Sequence, residues 1–124
     1  MPGPFNPRKF LQLGKALITI SSPNIDEDAK IRTSIGRCYY AAFLVAMKKM
    51  ERNGVQFPDK KAVHQDVKDA YMDRGLTDIG NKLDQLRELR RRADYDMNSE
   101  ISMGECKHCA QLSGYTIQLV DSAP

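Results

Sequence analysis

Four arginines, an aspartate and a tyrosine in one short stretch are the strongest candidates for chemistry in this chain of 124 residues. The stretch covers residues 83–97 and contains Arg87, Arg90, Arg91, Arg92, Asp94 and Tyr95. A guanidinium group stays charged at physiological pH and offers a rigid fork of donors that fits phosphate oxygens. The residue types therefore indicate a site for a phosphate group or for a polyanion backbone.

Arg90 differs from the other arginines in its position on a helix. At about 100° per residue, one face collects the apolar side chains of Ile79, Leu83, Leu86, Ala93 and Met97. Arg90 falls near the middle of that face, and Asp94 follows one turn later. A half-buried arginine is costly unless it is paired, so it usually has a structural partner or a function. Two interpretations stay open: Arg90 binds a phosphate, or Arg90 and Asp94 form an internal pair that fixes the register of the helix.

The elements that must position this stretch are predicted to be helical. Apolar residues recur at helical spacing and no segment alternates with period two, so we predict an all-α domain. The predicted helices cover residues 8–20, 25–52, 61–72, 78–97 and 103–120, an up-and-down bundle of four long helices plus one short helix. Residues 1–7 contain three prolines and are expected to form a flexible lead-in, and residues 8–121 to form a single domain.

Capping signals set the predicted starts of two helices. Asn24 with Glu27, and Ser102 with Glu105, have the spacing of capping boxes before the second and the last helix. We therefore expect Asn24 and Ser102 to be the N-caps.

Apolar spacing predicts how the helices pack. The second helix should be central, because Gly36 and its small neighbours allow close approach and apolar side chains cover much of its circumference. Its main face is predicted to contain Ile31, Ile35, Cys38, Tyr39, Ala42, Ala46 and Met50. The apolar face of the first helix is predicted to contain Phe10, Leu13, Leu17 and Ile20.

The cysteines and His64 are candidate metal ligands or catalytic groups. A zinc site needs four ligands, usually as two separated pairs. Beside the pair Cys106 and Cys109, the other candidate ligands are Cys38 and His64, and each of them is isolated in the sequence. The helical wheel places Cys106 and Cys109 on an apolar face, which favours core packing over metal or redox work. His64 is interpreted as a surface or capping residue. We therefore expect no metal and no cofactor.

The composition is that of an ordinary soluble protein, with 41% hydrophobic and 28% charged residues. No apolar run is long enough to span a membrane, and the first residues lack the apolar segment of a signal peptide. Three cysteines, an odd number, fit a reducing compartment. We therefore expect a bacterial or archaeal cytoplasm. The formal charge of +3 permits an anionic partner without requiring one.

Two stretches of the sequence together resemble the HEPN superfamily (higher eukaryotes and prokaryotes nucleotide-binding). The first is the pattern Arg-x-Ser-Ile-x-Arg-x-Tyr-Tyr-Ala-Ala-Phe at residues 32–43, and the second is Arg-x-x-Ala-Asp-Tyr at residues 90–95. The resemblance covers about residues 8–120. It implies an up-and-down helical bundle, commonly a homodimer whose motif helices face each other across a cleft.

The resemblance also implies a function. Many members are metal-independent ribonucleases that act as toxins, often beside a minimal nucleotidyltransferase that serves as antitoxin. Arg90 would then stabilise charge on the phosphate while the 2′-hydroxyl attacks, and Asp94 and Tyr95 would orient it or carry the proton. The remaining arginines, Arg87, Arg91 and Arg92, would hold the RNA backbone.

The sequence departs from the nuclease motif of that family at one important point. The motif arginine is normally followed, after four to six residues, by a histidine, whereas this chain has Tyr95, Asp96 and Met97 there. Tyrosine has a reference pKa near 10 and is a poorer proton carrier at neutral pH. The alternative is therefore a non-catalytic module that binds a nucleotide, a nucleic acid or a nucleotidyltransferase, with Arg90 and Asp94 as a structural pair.

Overall fold

The structure, a computed structural model, describes residues 3–124 as five helices joined by loops. The helices are α1 (Arg8–Thr19), α2 (Glu27–Arg52), α3 (Val63–Asp73), α4 (Thr77–Tyr95) and α5 (Met103–Ser122). No strand occurs within residues 3–124, so the prediction of an all-α helical bundle is confirmed. Met1 and Pro2, the start of the expected lead-in, lie outside the described residues. No helix between residues 3 and 124 is long and apolar enough to cross a membrane.

The central helix of the bundle is α2, which contacts each of the other four helices. All seven residues predicted for its main face are buried, and Phe43 is buried beside them. Burying apolar surface on several sides of one helix stabilises the bundle, because each buried side chain is removed from water. Apolar periodicity therefore identified the helix around which the others pack.

Long-range contacts give the directions of the helices. Lys30, near the start of α2, reaches the carbonyl oxygen of Ile20 just after α1, so α1 and α2 are antiparallel. Cys106, Cys109 and Ser113 of α5 contact carbonyl oxygens on successive turns of α2 in the same order, so α5 runs parallel to α2. The end of α4 lies beside the start of α2, which makes α4 antiparallel to α2.

Three basic side chains of α2 close the ends of three other helices. The Lys30 Nζ donates to Ile20 O at the end of α1, and Lys49 Nζ donates to Val120 O near the end of α5, at 2.6 and 2.9 Å. Arg32 does the same for α4. Carbonyl groups at a helix C-terminus lack partners within the helix and carry partial negative charge, so a cation there satisfies both needs. The central helix thus fixes where its neighbours end.

A close approach between α1 and α2 occurs where Gly14 faces Ser34 and Cys38, within the segment of small residues for which the sequence predicts close approach, although Gly36 itself is not the point of contact. A Cβ on Gly14 would lie 2.6 Å from Cys38 Sγ and 3.1 Å from Ser34 O. The Ser34 hydroxyl also donates to Gly14 O at 2.7 Å, which holds the two backbones together. A Cβ on Gly36 would meet only Asp94 Oδ1, at 3.9 Å.

Three boundaries or faces differ from their predictions. Asp26, rather than Asn24, caps α2 by accepting a hydrogen bond from Ala29 N at 2.8 Å. The helix α4 ends at Tyr95, so Met97 lies beyond it and is 73% exposed. In α1, Leu13 and Ile20 are exposed, whereas Phe10, Leu11 and Ile18 pack against the core.

The predicted cap of α5 is confirmed, because Ser102 Oγ accepts a hydrogen bond from Glu105 N at 3.0 Å.

Candidate functional site

Arg90 lies on the side of α4 that faces α2, and its side chain is 20% exposed. Its Nε atom is 2.8 Å from Asp94 Oδ2, and its Nη2 donates a hydrogen bond to the Tyr40 hydroxyl at 3.1 Å. The buried Nε–H nevertheless has no hydrogen bond of good geometry among the described residues. The Arg90–Asp94 contact is therefore a close ion pair with a misaligned donor, and Nη1 makes no hydrogen bond within residues 3–124.

Aromatic rings surround the Arg90 guanidinium. Its central carbon lies 5.6 Å from the ring centre of Tyr39, 5.3 Å from that of Tyr40 and 5.6 Å from that of Tyr95. Each ring face attracts a cation within about 6 Å. Burial opposes the charge on Arg90, but the oxygens of Tyr40 and Asp94 outweigh it and raise the pKa of the guanidinium. The group is therefore a fixed cation with its planar fork held in place.

Arg32 fixes the end of α4 that carries this site. Its side chain is 13% exposed, and its Nε pairs with Asp28 at 3.0 Å. Both terminal nitrogens donate to backbone carbonyl oxygens at and beyond the last turn of α4. Those four hydrogen bonds, 2.7 to 3.2 Å long, go to Arg92, Ala93, Asp96 and Ser99. The mostly buried Arg32 side chain thus has its hydrogen-bond acceptors in the backbone carbonyl groups at the C-terminus of α4.

The sequence-predicted site residues divide between two sides of α4. Arg90 and Asp94 approach α2, where Asp94 Oδ1 would lie 3.9 Å from a Cβ at Gly36. A depression of about 500 Å³ on another side of α4 is lined by Glu88, Arg91, Arg92, Tyr95 and Asp96. Tyr95 lines that depression and also lies beside the Arg90 guanidinium, and its side chain is 69% exposed. It is the residue that connects the two groups.

The flanking arginines differ in how they are held. Arg91 is exposed and Arg87 is half-buried. Arg92 is engaged within the protein, since its Nη1 pairs with Glu105 Oε2 at 3.1 Å and its Nη2 donates to Ser99 Oγ at 3.1 Å. Arg92 therefore ties the end of α4 to α5 and to the loop between them, while Arg91 presents its charge to solvent.

Sequence reasoning missed a buried polar network behind the Arg90 site. His64 is 7% exposed, so its interpretation as a surface or capping residue is wrong. Its Nδ1 lies 2.8 Å from the Tyr39 hydroxyl, and its Nε2 lies 3.2 Å from Asp84 Oδ1. Asp84 also accepts a hydrogen bond from Lys68. The network joins α2, α3 and α4, and its Tyr39 ring is one of the three that face Arg90.

The partners of His64 define its tautomer. Hydrogen bonds from Lys68 and His64 outweigh the effect of burial and lower the pKa of Asp84, so its carboxylate accepts the Nε2 proton of His64. Nδ1 then accepts from the Tyr39 hydroxyl. Burial lowers the pKa of His64 and raises that of Tyr39 to about 12, so both groups are neutral at neutral pH.

One signal in the sequence could have revealed His64. It precedes Val67 by three residues and Tyr71 by seven, which places it on the buried face of α3. A histidine on an apolar face needs partners for both ring nitrogens. Those partners, Tyr39 and Asp84, are separated from it by 25 and 20 positions, so only the fold shows them.

The cysteines lie in the core, as the helical wheel predicts. Cys38, Cys106 and Cys109 are all buried, and the thiols of Cys106 and Cys109 point towards carbonyl oxygens of α2 at 3.8 and 3.9 Å. Burial raises the pKa of Cys38 to about 11 and also raises that of Cys109. Among residues 3–124, no group of three or more histidine, cysteine, aspartate and glutamate side chains is arranged to hold a metal ion.

No family model, curated protein or solved structure matches this chain.

Proposed function

We propose that this chain is a HEPN-type protein that cleaves RNA without a metal ion, with Arg90 binding the phosphate, as the toxin-like component of a toxin–antitoxin or defence system. The observation that supports the proposal most directly is the arrangement of groups around the Arg90 guanidinium. Its guanidinium is held among three tyrosine rings and one carboxylate, and Nη1 stays free of hydrogen bonds to residues 3–124. A fixed arginine with an uncommitted donor is suited to a phosphate oxygen.

The spatial relation of the two motifs supports the same proposal. Residues 32–43 lie on α2 and residues 90–95 on α4, and the two stretches touch at both ends of the second one. Arg32 binds the carbonyl groups at the end of α4, and Tyr40 accepts a hydrogen bond from Arg90. The antiparallel directions of α1 with α2 and of α2 with α4 agree with the up-and-down bundle that the resemblance implies.

Proton transfer in this site falls to groups other than histidine. His64 lies behind the Tyr39 ring and is 7% exposed, so it does not reach a phosphate bound at Arg90. Asp94 and Tyr95 are exposed beside the guanidinium. Asp94 Oδ1, the oxygen not paired with Arg90, can accept the proton of the 2′-hydroxyl as that oxygen attacks phosphorus, and Tyr95 can donate a proton to the 5′-oxygen that leaves. These roles make Asp94 and Tyr95 catalytic residues together with Arg90.

The deciding experiment is cleavage of a mixed cellular RNA pool in the presence of a chelator. The parent protein should cut, and Arg90→Ala should lose activity by about a hundredfold or more, since one charge-stabilising donor is worth that much in comparable sites. Arg74→Ala is the matched control, because Arg74 is an exposed arginine at the C-cap of α3. Circular dichroism must show that all three proteins are equally helical. A parent that leaves every RNA intact refutes the nuclease proposal.

A non-catalytic binding module is the second candidate, and the Arg90–Asp94 pair favours it. The two groups lie 2.8 Å apart on successive turns, and residues 95–97 contain no histidine. A module of this kind would bind a nucleotide, a nucleic acid or a nucleotidyltransferase and cut nothing. Its signature is an uncut RNA pool together with a lower melting temperature for Arg90→Ala.

We further propose that the protein is a cytoplasmic homodimer and that a minimal nucleotidyltransferase is its antitoxin. Leu13 is 47% exposed on α1 and Leu44 is half-buried on α2, so apolar surface is present for a second copy. Light scattering at micromolar concentration tests the dimer. A monomeric protein would count against the nuclease proposal, because the active cleft that the resemblance implies lies between two copies of α4.

A further inference from the structure

Aromatic rings and arginines form one continuous row of contacts, from the residues before α1 to the end of α4. Consecutive members lie 4.8 to 5.6 Å apart, measured between ring centres or from a ring centre to the guanidinium carbon. We call this row the aromatic–arginine ladder; its members, in order, are Phe5, Phe10, Arg37, Tyr40, Arg90 and Tyr95. It crosses α1, α2 and α4, so only the folded chain brings its members together.

Arg37 is the unexplained member of the ladder. Its guanidinium carbon lies 4.9 Å from the centre of the Phe10 ring and 5.4 Å from that of Tyr40. Within residues 3–124 it has neither a hydrogen bond from its side chain nor a carboxylate within 4.0 Å. Arg90, by contrast, is paired with Asp94. Arg37 is therefore the cation of the ladder that no acid neutralises.

The two rings restrict Arg37 without using its donors. Stacking on ring faces leaves the edge of a guanidinium plane, with its five N–H groups, free to bind an anion. A side chain that is already held loses little conformational freedom when it binds a ligand. Arg37 is thus arranged to bind an oxyanion, and the exposed rings at the two ends of the ladder, Phe5 and Tyr95, remain available for stacking.

The ends of the ladder are its most exposed rings. Phe5 is 52% exposed and Tyr95 is 69% exposed. Unpaired bases stack on exposed aromatic rings, whereas the bases of a duplex are covered by their neighbours. Exposed rings at the ends of a row of cations are suited to a single strand, with bases on Phe5 and Tyr95 and phosphates on the arginines between them.

We propose that the ladder binds single-stranded RNA and that Arg37 holds a phosphate next to the one at Arg90. Both guanidinium carbons lie within 5.4 Å of the Tyr40 ring centre, so they are close enough to contact neighbouring phosphates of one strand. The proposal rests on the RNA-directed function proposed above and adds to it a second phosphate-binding arginine and the path of the strand. It makes Arg37 the principal electrostatic contact and leaves Arg90 to the reacting phosphate.

The test separates binding from cleavage. Fluorescence anisotropy is measured with a labelled single-stranded 2′-O-methyl RNA, which lacks the attacking hydroxyl, over a series of salt concentrations. Arg37→Gln should weaken binding about tenfold at low salt and lower the slope of log affinity against log salt by about 0.7, the value for one phosphate contact on a single strand. Arg74→Gln, the same change at an exposed arginine outside the ladder, should alter neither quantity.

Each outcome bears on one proposal or the other. An Arg37→Gln variant that is folded and binds with parental affinity and salt slope overturns the ladder proposal, even if the parent cleaves RNA. Equal affinity of the parent for a duplex also overturns it, as does dissociation of an oligomer by Arg37→Gln, which would make this face an interface between copies. If the parent binds through Arg37 but never cleaves RNA, the nuclease proposal fails and the ladder proposal stands.

Discussion

Arg32 Nη1 lies 3.1 Å from the carbonyl oxygen of Ala93, although 61 positions separate the two residues. This contact joins the start of α2 to the last turn of α4. Because the same turn carries Asp94 and follows Arg90 directly, the geometry of the candidate site depends on a residue that need not touch any ligand. Arg32 is therefore a structural member of the motif at residues 32–43.

Replacing Arg32 with alanine should destabilise the protein by about 2 to 4 kcal/mol, because four backbone carbonyl groups lose a charged donor. Urea unfolding followed by circular dichroism measures the loss. The matched control is Arg91→Ala on the exposed face of the same helix, which should change stability by less than about 0.5 kcal/mol. Equal stability of the two variants would contradict the capping role.

Gly14→Ala should destabilise the protein by about 1 to 3 kcal/mol, because the new methyl group would overlap Cys38 Sγ and press on Ser34 O. Gly36→Ala is the control in the facing helix. Its methyl group would meet only Asp94 Oδ1 at 3.9 Å, so the better helix propensity of alanine should leave stability unchanged or raise it by up to about 1 kcal/mol. Thermal melting distinguishes the two, and a reversed order would place the close contact at Gly36.

Stability should fall as the pH drops below 6.5. Burial lowers the pKa of His64 from 6.5, so the unfolded chain takes up a proton before the folded protein does, and protonation then favours unfolding. The folded protein keeps the full contribution of neutral His64 above that pH. The groups that face His64 are Tyr39 from α2, Lys68 from α3, and Asp84 and Arg87 from α4.

His64→Gln tests this pH dependence, because an amide can accept from Tyr39 and donate to Asp84 without titrating. The slope of unfolding free energy against pH just below 6.5 should decrease in this variant. His108→Gln, a change on the exposed side of α5, should keep the slope of the parent protein. A parental slope in His64→Gln would show that His64 is not the titrating group.

The three cysteines should resist a thiol reagent in the native protein. Reaction requires the thiolate, and burial raises the pKa of Cys38 to about 11 and raises that of Cys109 as well. All three side chains are also shielded from the reagent. We expect almost no reaction in native buffer and three equivalents of thiol after unfolding in guanidinium. Fast release of even one equivalent before unfolding would exclude simple core packing for that cysteine.

Helical periodicity was sufficient to predict the core of α2, because each buried side chain there lies on a face defined by its own helix. It was not sufficient for the end of α4. Apolar spacing predicts that α4 extends to Met97, whereas the helix ends at Tyr95. The reason is that Arg32 binds the carbonyl oxygens that a further helical turn would use as acceptors, and the backbone of Asp96 is extended. The prediction of Asn24 as the N-cap of α2 was wrong for a simpler reason. Asparagine and aspartate cap helices equally well, so the residue type does not distinguish Asn24 from Asp26.

The candidate site shows the same division. The type of Arg90 and its place on the apolar stripe could be read from the sequence, and its half-buried ion pair with Asp94 is local to one helix. The rings of Tyr39 and Tyr40, the anchoring of α4 by Arg32 and the burial of His64 involve separate helices. Spacing within one segment carries no information about such contacts, because they depend on how α2, α3 and α4 pack.

The caps that α2 supplies to other helices have a consequence for how the native protein opens. The ends of α1, α4 and α5 are each bound by a cation of α2, so fraying any of them breaks a contact with the central helix. The end of α3 is closed by its own residues, since Leu76 N donates to Tyr71 O and Gly75 adopts a positive φ of 75°. Amide hydrogen exchange should therefore be slower at the ends of α1, α4 and α5 than at the end of α3.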